Sequence, residues 1–112
     1  MKLPNAEKAI VSREKIADYL LHAAHPDNGG KADFFERLGF RRDEWAILAA
    51  AFKALANQNE ALKAAETPHG TKYIITGRIE APGGKAAQVQ SIWIMDKGQD
   101  AARLVTAYPR KV

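Results

Sequence analysis

Thr71-Lys72-Tyr73-Ile74-Ile75-Thr76-Gly77-Arg78-Ile79 is the stretch on which the fold turns. Tyr73, Ile75, Gly77 and Ile79 alternate with Ile74, Thr76, Arg78 and Glu80, and the run is rich in β-branched and aromatic side chains that fit a pleated surface. It reads as a strand. Downstream, Ala81-Pro82-Gly83-Gly84 turns the chain into a second strand over Gln88 to Met95. Asp96-Lys97-Gly98 is another turn, and Arg103 to Tyr108 is a last strand before Pro109. The C-terminal part is therefore an antiparallel meander.

Upstream, Glu60 to Thr67 carries conflicting signals. Alanine, leucine and lysine favour helix by propensity. Pro68-His69-Gly70, however, is a compact turn, and a partner strand before it would complete an antiparallel pair, so the expectation is a strand. Further back, Ser12 is a fitting N-cap, and Ile16, Tyr19 and Leu20 recur at helical spacing, which predicts a first helix over residues 13 to 22. Pro26 and the turn signal Asp27-Asn28-Gly29-Gly30 end it, leaving His25 in the exit loop. A second helix is expected from Lys31 to Leu38 with Gly39 as its C-cap. A third starts near Asp43 and presents Trp45, Leu48, Phe52 and Leu55 to the core. Leu3 to Glu7 is an extended opening, and Ala9-Ile10-Val11 is a short strand or a packed arm. The expected class is α+β: about three N-terminal helices over residues 1–58, packed on a twisted antiparallel sheet of three to four strands over residues 60–109.

The 112 residues fit one domain, with enough surface to bury for folding without disulfides or structural metal. Cysteine is absent, which excludes thiolate zinc sites, iron–sulfur clusters and cysteine nucleophiles, and fits a reducing compartment. His22, His25 and His69 share no helical spacing, so neither a metal nor any other cofactor is expected. No run approaches the ~20 apolar residues that span a bilayer. Met1 to Asn5 begins no apolar leader, and the expectation is a cytoplasmic protein with no membrane partner. The net charge is +4, and its placement says more than its size. Residues 1–56 hold nine basic and eight acidic side chains, whereas residues 57–112 hold eight and five. That basic bias suits a polyanionic partner.

Phosphate loops, dinucleotide fingerprints, zinc-protease helices and serine elbows are all missing. Two polar groups remain. In His25-Pro26-Asp27-Asn28-Gly29-Gly30-Lys31, an imidazole precedes a lysine at a helix start able to receive an anion. In Arg103-Leu104-Val105-Thr106-Ala107-Tyr108-Pro109, a cation and two hydroxyls sit on the last strand. On a regular strand Arg103 shares a face with Val105 and Ala107, and Thr106 lies on the other. The two meet only if a bulge or the strand's edge brings them to one rim. Phosphodiester cleavage needs few residue types: a group that moves a proton, cations for the developing charge, a hydroxyl to hold the phosphate and an aromatic to stack on a base.

Leu3-Pro4-Asn5-Ala6-Glu7-Lys8-Ala9, Tyr19-Leu20-Leu21, His25-Pro26, Lys31-Ala32, Phe34-Phe35, Leu38-Gly39-Phe40, Trp93-Ile94 and Arg103 to Pro109 together resemble a family of small uncharacterised bacterial domains. Such domains occur alone and at the C-termini of polymorphic toxins, and the resemblance covers nearly the whole chain. A looser resemblance, resting on element order and on Thr106-Ala107-Tyr108-Pro109, is to the superfamily of barnase, EndoU, colicin and RelE-type ribonucleases. It implies a metal-independent ribonuclease whose partners are RNA and a cognate immunity or antitoxin protein. His25, Lys31, Arg103 and Thr106 are the implied catalytic candidates, and the expected substrate-binding set is Tyr108, Trp93 and Arg78. Each has a structural reading beside it. His25 could cap the first helix and Lys31 could be a solvated lysine. Thr106, Tyr108 and Trp93 also fit the sheet and core, and Arg103 could pair with Asp96 or Asp100. The rival reading of the whole chain is a non-catalytic protein- or nucleic-acid-binding module of a toxin–antitoxin or similar system.

Overall fold

The computed structural model describes residues 1–110. Ser12 Oγ accepts a hydrogen bond from the Lys15 N–H at 3.1 Å and opens α1 (Arg13–Lys15). The segment does not continue as the regular helix expected to residue 22. It widens into a π turn over Ile16–Leu20, closed by the Leu21 N–H on the Ile16 carbonyl at 2.8 Å. The wider turn holds one extra residue. That lets Ile16, Ala17, Leu20 and Leu21 all reach the core, while Tyr19 stays half-buried at the rim.

Helix α2 (Lys31–Leu38) lies between Gly30 at φ 86° and Gly39 at φ 117°, left-handed positions that favour glycine at both ends. A 3-10 turn over Arg42–Glu44 leads into α3 (Trp45–Gln58), which buries Leu48, Phe52 and Leu55. The segment with mixed signals is indeed a strand, β1 (Ala61–Thr67). It is followed by β2 (Gly70–Glu80), β3 (Ala86–Asp96) and β4 (Arg103–Pro109), and the four strands pair in sequence order, all antiparallel. Three helices on a four-stranded antiparallel sheet make the fold α+β, as the alternation in β2 predicts.

One face of the sheet meets the helices. Tyr73, Ile75, Trp93 and Leu104 join Phe35, Phe52, Ile16 and Leu20 in a single core. Trp93 is fully buried, and its indole N–H donates to Ser91 Oγ at 2.8 Å, which in turn donates to the Ile75 carbonyl at 2.8 Å. The only two buried polar side chains among the described residues, Ser91 and Asn28, are thereby both hydrogen-bonded. The β2–β3 ladder runs without a break from Gly70↔Asp96 to Glu80↔Ala86. The β3–β4 ladder slips once, pairing Ile92 with Thr106 and Trp93 with Leu104, so that Val105 is an extra residue. This bulge lets Leu104 and Ala107, three apart, both face the core.

The N-terminal arm ties the two outer strands. The Ala61 N–H donates to the Met1 carbonyl beside β1. At β4, Ile10 bridges to Arg103 in parallel, donating to the Ala102 carbonyl at 2.8 Å and accepting from the Leu104 N–H at 2.9 Å. Among the described residues no helix is long and apolar enough to cross a membrane.

Candidate functional site

The loop from His25 to Lys31 is held by its own middle. Asn28 is 2% exposed; its amide donates to the Tyr19 carbonyl at 2.6 Å and its Oδ1 accepts from the Ala32 N–H at 2.9 Å. One side chain thus caps α2 and pins the loop to the π turn. Gly29 at φ 61° and Gly30 at φ 86° supply the left-handed backbone that the tight path requires.

Pinned this way, the loop lays His25 against Tyr19, edge to face, with ring centroids 5.0 Å apart. Lys15 and Lys31 place their ammonium groups 5.0 and 5.7 Å from the same ring centroid, within cation–π range. The Lys31 Nζ also donates to the Asn28 carbonyl at 3.1 Å, so this lysine folds over the loop rather than into solvent. From the other side, Thr106 Oγ1 lies 2.9 Å from the Tyr19 hydroxyl. Ser12, Glu14, Lys15, Asp18, Tyr19, His25, Asp27, Val105 and Thr106 line an open groove of about 550 Å³ where the π turn meets the bulged edge of β4. Tyr19 is its hub.

The His25 ring has a defined state in this arrangement. Its Nδ1 accepts the Asp27 backbone N–H at 3.0 Å, so the neutral ring carries its proton on Nε2 and presents a hydrogen-bond donor there.

A larger hollow, about 750 Å³, opens on the other side of the π turn between Arg13, Phe40, Arg41 and Arg42. Its charges are largely spent on one another. Arg42 binds Asp18 at 3.0 Å and the Ala17 carbonyl at 2.6 Å, and Arg41 lies 3.4 Å from Asp43. The smaller groove sets an imidazole, the Lys15 ammonium and hydroxyls beside the carboxylates of Glu14, Asp18 and Asp27, with Lys31 over the same Tyr19 ring, and this mixture of proton-handling and charged groups makes it the better candidate on chemistry.

Of the residues singled out in the sequence, His25, Lys31 and Thr106 therefore gather around Tyr19. The others lie elsewhere. The Arg103 guanidinium grips Asp96 through two bonds of 2.8 and 3.2 Å. That contact holds the Asp96 carboxyl below its ordinary range and raises Arg103. Tyr108 accepts from the Gln90 amide at 2.6 Å on the sheet face away from the helices, and Arg78 on β2 lies 3.7 Å from Glu80. Trp93 corrects an expectation: with 0% exposure it presents no face to a base, because its ring fills the space between sheet and helices. Tyr19, Lys15 and Asn28 are the residues that sequence reasoning passed over. The signal for Tyr19 was a phenol placed on an otherwise aliphatic helical face, where its hydroxyl must find a polar partner. Among the described residues no three His, Cys, Asp or Glu side chains group as a metal site requires.

With a helix–helix–helix–sheet order and a polar groove at the seam between the two halves, comparison with known proteins becomes informative. The chain belongs to the family described as a domain of unknown function, DUF6883, whose sequence model matches residues 2–111. Its fold is similar to that of a chain in the contact-dependent growth inhibition toxin–immunity protein complex from Klebsiella pneumoniae 342. The TM-score is 0.75 at 22% identity, over 96% of this chain and 97% of that one. Among curated proteins none matches.

Proposed function

We propose that this domain is a toxin-like ribonuclease that cleaves RNA phosphodiesters in the Tyr19 groove without a metal, and that a cognate immunity-type protein holds it in check. The observation that carries the reading is the convergence of His25, Lys15, Lys31 and Thr106 on one tyrosine. The fold likeness to a chain of a toxin–immunity complex supports the toxin side of it.

The chemistry assigned to the groove is electrostatic. In attack by the ribose 2′-oxygen a bond to phosphorus forms, the 2′ proton passes to water, and the bond to the 5′-oxygen breaks as that oxygen takes a proton from water. Charge builds on the non-bridging oxygens in between. The His25 Nε2–H and the two ammonium groups stabilise that charge, and the Tyr19–Thr106 hydroxyl pair orients the phosphate. Removing one such donor typically costs about 10²–10³ in rate.

The test is cleavage of total or transfer RNA in EDTA. Wild-type protein is expected to fragment it, with His25→Ala slower by about a hundredfold and still folded. Intact RNA at micromolar protein, together with no growth defect on expression, would overturn the proposal. If such a protein instead bound a second protein stoichiometrically and His25→Ala left that complex unchanged, the non-catalytic binding module would be the better reading.

A further inference from the structure

The sheet has a second face, turned away from the helices. The register assigns its residues: Lys63, Ile74, Ile92 and Thr106 form one cross-strand row, and Ala65, Lys72, Ile94 and Arg103 the next. Thr76, Gln90 and Tyr108 follow. Arg110 reaches back across two strands to donate to Thr76 Oγ1 at 3.1 Å. Ile92 is only 8% exposed yet stands outside the core cluster, so an apolar strip of Ile74, Ile92 and Ile94 runs down a face that no helix covers.

Charge on this face is one-sided. Lys63, Lys72, Arg78, Arg103 and Arg110 share it with two acids, Glu80 and Asp96, so it carries most of the net +4 of the chain. Arg78 and Arg103 lie against those acids, while Lys63, Lys72 and Arg110 make no ion pair among the described residues. The geometry points to this face as the docking surface for an acidic protein, the immunity-type partner of the preceding section. An apolar strip bordered by cations and a tyrosine is the anatomy of a protein interface, with an apolar centre and a charged rim. A nucleic-acid track would call for several exposed aromatic platforms, and Tyr108 is the sole aromatic residue on these rows. The larger hollow lies away from this face, and the Tyr19 groove touches it only at its β4 edge, through Thr106. The inference rests on the proposed function only for the existence of a protein partner.

The test uses a poly-L-glutamate peptide as the acidic probe and a single-stranded RNA as its rival, each titrated into wild type. Two sheet variants, Lys72→Glu/Arg110→Glu and the milder Lys72→Gln/Arg110→Gln, and a groove variant, Lys15→Ala/Lys31→Ala, receive the same titrations. Isoleucine methyl NMR reads the location. Poly-L-glutamate is expected to shift the Ile74, Ile92 and Ile94 methyls and leave Ile16 and Ile47 in place. Its affinity should fall at least tenfold in the charge-reversed variant and about threefold in the neutralised one. The groove variant should bind it as wild type does, and both sheet variants should keep wild-type RNA cleavage. Equal binding of the peptide to wild type and sheet variants overturns the inference. So does RNA shifting the same methyls, which would make the face a substrate track, or concentration-dependent methyl shifts without any probe, which would make it a self-association surface. If wild type fails to cleave RNA while the peptide still discriminates the sheet variants, the cleavage proposal falls and the docking face stands.

Discussion

The two ladders that share β3 differ in regularity, and the difference separates scaffold from site. Between β2 and β3 every residue from Gly70 to Glu80 has its partner, and the inward side chains Tyr73 and Ile75 are core. Between β3 and β4 the pairing slips by one at Val105, and there Thr106 meets Tyr19. The same contrast holds in the helical half. Helix α3 is a regular span of buried Leu48, Phe52 and Leu55, whereas the groove is bordered by a π turn and a loop through two left-handed glycines. Irregular backbone re-aims side chains that regular periodicity would send elsewhere.

Breaking the regular side should cost the most. Ile75 is fully buried between sheet and helices, so Ile75→Ala is expected to lower unfolding free energy by about 2–5 kcal/mol. Urea denaturation followed by circular dichroism measures it. A loss within a few tenths of zero would mean that the β2–β3 ladder is not the scaffold. On the irregular side, Asn28→Ala strands the Ala32 N–H and leaves the Tyr19 carbonyl with the His22 N–H alone, for an expected loss of about 1–3 kcal/mol. Its distinguishing effect is local: amide exchange should quicken over residues 25–32 before the sheet responds. Uniform loss of protection would contradict the division drawn above.

The smallest effect concerns pH. The Asp96 carboxyl is held below its ordinary 3.8 by its hydrogen bonds to Arg103, and Asp100 is held low by Lys8. Both bind protons less readily folded than unfolded. Their contribution is therefore complete above the ordinary aspartate range and is lost as pH falls through 3.8 toward the lowered folded values. Because both pairs are exposed, the change is modest. Urea midpoints at about pH 6 and pH 3 should converge partly in Asp96→Asn, and an unchanged pH dependence there would remove Asp96 as a contributor.

What was readable in the chain follows the same division. The β2 alternation, the turns at Pro82 and Gly98 and the helical spacing of Leu48, Phe52 and Leu55 lead directly to the fold, because regular elements repeat their signal. The strand at residues 61–67 is legible only through Pro68-His69-Gly70, since its own residues favour helix. The bulge at Val105 leaves no mark in composition, and strict alternation sets Arg103 and Thr106 on opposite faces. The extra residue pairs them with Ile94 and Ile92, which share one face. The π turn is equally silent, since Ile16, Tyr19 and Leu20 suit an ordinary helix. Only the partners that Tyr19 finds outside it, Thr106 for its hydroxyl and Asn28 for its carbonyl, reveal what that turn is for.

The arm that joins Ile10 to Arg103, with the Asn5 amide donating to the Asp100 carbonyl 95 residues away, bears on how the molecule is made. The groove takes one wall from residues 12–27 and the other from Val105 and Thr106, so it does not exist until the last strand has paired. Contacts that distant in the chain close late and slowly. A ribosome-bound chain, or one clipped before β4, has the His25 loop but nothing opposite it. Until β4 has paired, the groove proposed to act on RNA has a single wall.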